Sequence, residues 1–184
     1  MRDTNSTRRD ESVAEVNPVM SAYSRRARVF VAIFAATALT LFAILLAAPF
    51  RPLVDSFSGD LAFVSARLIT ALGGKCFQHG AILSSPAKGF AMEVRDGCNG
   101  VNVVILLWAA ILAYPSTLKW KLLGLGGGLA AIQAVNLLRL VSLFYLGQYS
   151  PSIFEFAHLY LWESLIIIDG MIVFGFWTKH ATNR

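Results

Sequence analysis

Cysteine is scarce in this chain: Cys76 and Cys98 are the only two among 184 residues. Two cysteines do not make a disulfide scaffold, although they could form one bridge. Charged residues are also few, 15% of the chain against 56% hydrophobic, with a mean hydropathy of +0.59. The length allows one domain, and a soluble domain of that size does not need so much apolar content. The surplus points to lipid. Acidic residues are the scarcer sign, 11 against 16 Lys and Arg, for a net charge of +5. Most of the charge lies in the N-terminal tail or in short segments beside apolar runs. Membrane topology determinants are distributed in this way, and a nucleic-acid face is not. The bilayer is therefore an expected partner and nucleic acid is not. No metal-ligand cluster or cofactor motif is visible, so neither metal nor cofactor is expected.

The apolar runs give the organisation. Residues 1–17 are polar, without apolar periodicity, and read as a disordered tail. The basic cluster Arg25, Arg26 and Arg28 completes a cytoplasmic tail over 1–28. A membrane domain over 29–184 follows. Its first span, 29–50, is too long for a signal-peptide core and has no clear cleavage site after it. Residues 54–74 differ in kind. Leu61, Val64, Leu68 and Leu72 recur at helical spacing among Asp55, Asp60 and Arg67, which predicts an amphipathic helix. It would lie on the membrane or pack over the site, ended by Gly73–Gly74.

Residues 75–95 read as extended. Phe90, Met92 and Val94 alternate with Ala91, Glu93 and Arg95, a strand pattern, and a small hairpin is expected. Further spans are expected at about 99–114, 122–146 and 156–177. Gly124, Gly126, Gly127 and Gly128 would permit close helix packing in the third. The predicted fold class is an all-α integral membrane protein. It has about four transmembrane helices, an outward-facing amphipathic helix and a small β-hairpin. With four spans, the N-terminal arginines, Lys119/Lys121 and Lys179/Arg184 fall on one side, the cytoplasm. The loops 51–97 and 147–155 then face outward.

Topology filters the chemistry. Cys98 lies at the outer mouth of the second span and His158 at that of the fourth. Arg139 lies in the third, ten positions before Tyr149 and so about 15 Å from its outer end. An arginine inside a span costs about 2.5–3.5 kcal/mol on insertion scales, so function is a better reading than snorkelling. Asn136 shares its helical face and could bond to it or line the same cavity. For Cys98 three readings stand open. It could be a thiol activated by a helix N-terminus, a small buried hydrophobe, or half of a Cys76–Cys98 bridge. His158 taken alone reads as an interfacial histidine. His79 is a reserve base in the outer loop, and His180 is on the wrong side. A thiol, a histidine and a cation together suit acyl transfer. Glu163, Asp169 and Trp162 could support them, though a structural carboxylate is an equal reading of the two acids.

At these residues the chain resembles the exosortase/archaeosortase family of membrane cysteine transpeptidases, most closely its compact H type. Cys98-Asn99-Gly100 heads one helix, Asn136-x-x-Arg139 lies within the next, and His158 heads the last. The resemblance implies Cys98 as nucleophile, His158 as general acid/base and Arg139 as oxyanion stabiliser or substrate clamp. Asn99, Asn136 and Glu155 are the candidate substrate-binding or supporting residues. It also implies substrates: exported proteins ending in a short motif, a transmembrane helix and a basic cluster. They would be cut on the outer face of the cytoplasmic (inner) membrane. Two other classes compete. One is a non-enzymatic scaffold or assembly subunit using Arg139 to pair with a partner. The other is a small transporter, which lacks the expected internal repeat.

Overall fold

The computed structural model describes residues 24–181 with their side chains and traces the first helix back to Thr4. The expected tail over 1–28 falls almost wholly outside the residues described with side chains. Helix α1 (Thr4–Leu46) leads through a 3-10 turn, Ala48–Phe50, into α2 (Arg51–Ala71). Strands β1 (Phe77–His79), β2 (Ile82–Ser85) and β3 (Phe90–Glu93) follow. Then come α3 (Val101–Ala113), α4 (Leu118–Tyr149), α5 (Pro151–Phe156), a π-helical turn over Ala157–Leu161 and α6 (Trp162–Thr182).

Three helical stretches are long and apolar enough to cross a bilayer: Ser24–Leu46, Leu118–Tyr149 and the α5–α6 rod, Pro151–Ala181. The fourth expected span, α3, has 13 residues and rises about 20 Å, short of a hydrocarbon layer of about 30 Å. It lies between the longer helices, against α1, α4 and α6, with Val104, Ile105, Leu107, Ala109 and Ile111 buried. Helix α1 packs mainly on α3 and presents Val29, Val31, Ile33 and Leu39 outward. Ile167, Ile168, Met171 and Ile172 do the same on α6. Apolar faces this extensive belong to a protein solvated by lipid.

The α2 segment is helical, as its spacing predicts, with one side packed on the protein. Ser58, Leu61, Ala62, Ser65, Ala66 and Ile69 face the protein. Of the four apolar residues at helical spacing, Leu61 is buried while Val64, Leu68 and Leu72 are exposed. Small side chains win the inner face because α2 packs closely on α4 and the sheet. The Gly73 and Gly74 N–H groups close the helix on the carbonyls of Thr70 and Ile69 (3.0 and 2.9 Å).

The expected hairpin is a three-stranded antiparallel meander, β1-β2-β3. Phe77 pairs with Ser84, and Ser85 with Phe90. The alternation in β3 holds: Met92 and Val94 are buried, while Glu93 and Arg95 face out. The meander is pinned to α4. Ser85 donates to Gln148 Oε1 at 2.9 Å, and the Phe90 ring fills the space a side chain would need at Gly147. In the glycine cluster, Gly124 and Gly128 admit Trp177 and Leu107, whereas Gly126 and Gly127 meet nothing.

Candidate active site

The loop between β3 and α3 holds Cys98 in place. Gly97 and Gly100 have φ of +89° and +73°, a region where a β-carbon is penalised. Between these two bends the chain carries Cys98 and Asn99. The Cys98 N–H bonds the Arg95 carbonyl at 2.9 Å. Asn99, fully buried, ties the turn together. Its Oδ1 accepts from the Val101 N–H at 3.1 Å, and its amide donates to Asp96 Oδ1 and Ser58 Oγ, each at 3.3 Å. Gln133 of α4 donates to the Asn99 carbonyl at 3.1 Å. A β-carbon at Gly100 would approach Gln133 Nε2 to 3.1 Å and Asn136 Cγ to 3.3 Å, so glycine lets the loop sit flush on α4.

Arg139 lies on the buried stripe of α4 with Ile132, Asn136, Leu140 and Leu143, spaced as a core-facing helix requires. Its side chain is 1% exposed, so it does not snorkel. Nη1 donates to the Gly97 carbonyl at 3.2 Å. Nη2 lies 3.5 Å from His158 Nδ1, 3.6 Å from Glu163 Oε2 and 4.0 Å from Cys98 Sγ. Because a guanidinium only donates, the His158 contact requires Nδ1 to act as acceptor. Both ring nitrogens of His158 lie 3.7 Å from Cys98 Sγ. The ring stacks on Phe154, with centroids 5.6 Å apart. His158 stands in the π-helical turn, a feature frequent at functional sites.

Three side chains from three elements, 41 and 19 residues apart in sequence, thus meet around one sulfur. Both cysteines are free thiols, which removes the bridge reading. Burial pushes the Cys98 thiol above its ordinary range; Arg139 pulls it down, and Glu163 pushes it up. Helix-dipole activation is one of the three readings the sequence leaves open for Cys98. Cys98 precedes the Gly100 cap of α3, and dipole effects fade within a turn, so desolvation dominates.

Other expectations divide. Asn99 belongs to the site through its loop. Asn136 is fully buried but donates to Gln133 Oε1 at 3.2 Å instead of bonding Arg139. Glu155 is exposed on α5 and makes no contact with the cluster; the carboxylate that reaches Arg139 is Glu163. Trp162 is buried in the same apolar cluster as Cys98. Asp169 is absent from the contacts of Cys98, Arg139 and His158. His79 is exposed on β1, and His180 bonds Phe176 near the end of α6. Gln133 and Ser58 were not anticipated. A polar side chain within an apolar span, three residues before Asn136, was the signal for Gln133; an isolated serine in α2 gave none. Among the described residues no three His, Cys, Asp or Glu side chains gather as metal ligands.

No curated protein and no solved structure matches the chain. A family model does, that of the transmembrane exosortases, and it covers residues 20–179, including the Cys98 loop, Arg139 and His158. Nearly the whole membrane domain lies within that match, and on that ground the chain belongs to the transmembrane exosortase family.

Proposed function

We propose that the protein is a membrane-embedded thiol peptidase or transpeptidase. It cleaves the C-terminal sorting signals of exported proteins on the outer face of the cytoplasmic membrane. The observation that carries this reading is the convergence of Arg139 Nη2 and both His158 nitrogens on Cys98 Sγ within 4.0 Å. Family membership supports the reaction class, and the positive-inside distribution supports the orientation.

The steps follow from these groups. His158 takes the Cys98 proton, and the thiolate attacks a peptide carbonyl carbon. Negative charge develops on the carbonyl oxygen. Arg139 Nη2 is shared among three partners at 3.5–4.0 Å and can turn toward that oxygen. His158 then protonates the departing amine as the C–N bond breaks, leaving a thioester. An incoming amine or water attacks the thioester, gives its proton to His158 and frees Cys98.

The scaffold reading asks Arg139 to seek a carboxylate on a partner. Its charge is already met by Glu163 within the chain, which counts against that use.

The test is co-expression of a sorting-signal protein with wild type, Cys98→Ala, Cys76→Ala and Arg139→Ala, read by blot. Cys76→Ala is expected to process the substrate, and the other two variants are not. Processing by Cys98→Ala at wild-type abundance would transfer the case to the scaffold reading.

A further inference from the structure

The α5–α6 rod contains one irregularity, and it lies at the site. The Trp162 N–H bonds the Ala157 carbonyl five residues back, and Ala157–Leu161 form a π-helical turn. In a regular α-helix, residues five apart point about 140° away from each other. A π-turn inserts one extra residue, so position i+5 takes the place i+4 would otherwise hold. His158 and Glu163 are five apart, and both reach the same atom, Arg139 Nη2, at 3.5 and 3.6 Å. Regular helix would turn Glu163 away and put Trp162 in its place. Among the described residues, Glu163 makes the only salt bridge to Arg139. It is also 54% exposed, unlike the buried arginine, and so is not held there by core packing.

We infer that Glu163 is a positioning residue: with the π-turn setting its register, its carboxylate holds the Arg139 guanidinium between Cys98 and His158. This rests on the thiol mechanism proposed above and adds a residue to it. Glu163 forms no bond to substrate and moves no proton. It fixes where Arg139 stands when the thiolate forms and when charge develops on the substrate.

The charged and titratable groups around Cys98 make the test sharp. They are Arg139 from α4, His158 and Glu163 from the rod, and Asp96 in the loop; α2 contributes the neutral Ser58. On the Cys98 thiol, the pull of Arg139 exceeds the push of Glu163. If Glu163 only sits nearby, neutralising it removes a push and the thiol ionises at lower pH. If Glu163 holds Arg139, neutralising it releases the stronger pull as well, and the thiol ionises at higher pH.

The experiment measures maleimide alkylation of Cys98 against pH in membranes carrying the full chain with Cys76→Ala. It compares Glu163→Gln, Glu163→Ala and Glu163→Asp, with substrate processing measured in parallel. The expected result is an alkylation profile displaced to higher pH in both neutral variants, with processing lowered about tenfold or more. Glu163→Asp should restore most of both. A profile displaced to lower pH, or unmoved, overturns the inference, as does processing within about twofold of wild type. If one neutral variant fails to accumulate, the other decides. If Cys98→Ala itself processes substrate, the proposed function falls, and the alkylation profile still reads whether Glu163 holds Arg139 at the thiol.

Discussion

The two ends of the helix bundle are built from opposite materials. Around Trp177 the chain packs aromatic rings: Tyr114 lies edge-on to Trp177 with centroids 5.6 Å apart, and Phe174 stacks at 6.0 Å. Two indole N–H groups there are satisfied: Trp177 donates to the Trp120 carbonyl at 2.8 Å and Trp108 to that of Leu125 at 3.0 Å. Around Cys98 the long contacts of Arg139 Nη2 run from 3.5 to 4.0 Å. Arg139 Nε and Asn136 Oδ1 are buried there without hydrogen-bond partners, as is Ser116 Oγ in the loop before α4 at the other end. Buried polar groups cost free energy when left unmet. On the proposed function, the Trp177 end serves stability and the Cys98 end holds an arrangement suited to a reaction.

The sharpest way to break that comparison is to show that the Cys98 end is also structural. Cys98→Ala removes one sulfur from a buried site and keeps the small apolar volume. Processing is expected to disappear while abundance in the membrane stays at wild-type level, both read on one blot. Loss of abundance in step with activity would make the two ends alike. Next in size is Arg139→Lys. The charge remains, but a lysine cannot reach the Gly97 carbonyl and the Cys98–His158 space together as the guanidinium does. A fall of about a hundredfold in processing is expected, with the protein still present.

Much of this contrast was legible in the sequence because charge in an apolar run is conspicuous. Arg139 stood out on its cost of insertion, and the β3 alternation on its period of two. Cys98 and His158 each had a bland reading taken alone; topology placed them on one side of the membrane, and the family resemblance gave them roles. What stayed hidden has a physical cause in each case. Which side of α2 the protein covers was not legible, because leucine spacing marks an apolar face without saying what covers it; here Leu68 and Leu72 are exposed, and Ser58, Ala62 and Ser65 are buried. Glu155 and Glu163 were both candidates, and spacing did not choose between them because the π-turn that brings Glu163 to the His158 side of the rod is not marked in the sequence. The brevity of α3 was partly visible in the short run before Pro115. The bonds from Gln133 to Asn99 and from Ser58 to Asn99 join distant segments, which local pattern does not report.

The glycines of α4 sharpen the stability side. A β-carbon at Gly124 would meet Trp177 Cδ1 at 2.8 Å and Cε2 at 2.9 Å. That ring is held by its bond to Trp120 and by Tyr114, so it cannot move aside cheaply. At Gly128 the clash is with Leu107 Cδ2 at 2.7 Å, the free end of a flexible side chain. Gly124→Ala is expected to cost about 1–3 kcal/mol through overpacking. Gly128→Ala is expected to be near neutral, because a rotamer shift is offset by about 1 kcal/mol of helix propensity. Thermal unfolding in detergent should separate the two; equal melting temperatures would mean that the Trp177 ring is not fixed.

A last variant isolates one hydrogen bond at the aromatic end. Trp177→Phe keeps an aromatic ring against Tyr114 and Phe174 but removes the N–H that reaches the Trp120 carbonyl. Trp120 lies in the first turn of α4, so its carbonyl retains the regular helical acceptor role toward Gly124. The cost is then the net value of one neutral hydrogen bond plus the volume lost from indole to phenyl, about 1–2 kcal/mol. The Cys98 site meets α4 at Gln133 and Arg139, well along the helix from Trp120, and should process substrate at the wild-type rate. A Trp177→Phe protein that melts lower yet works normally keeps the two ends separate. A loss of activity larger than the loss of stability would show that the aromatic end sets the geometry at Arg139, through the α4 helix that the two ends share.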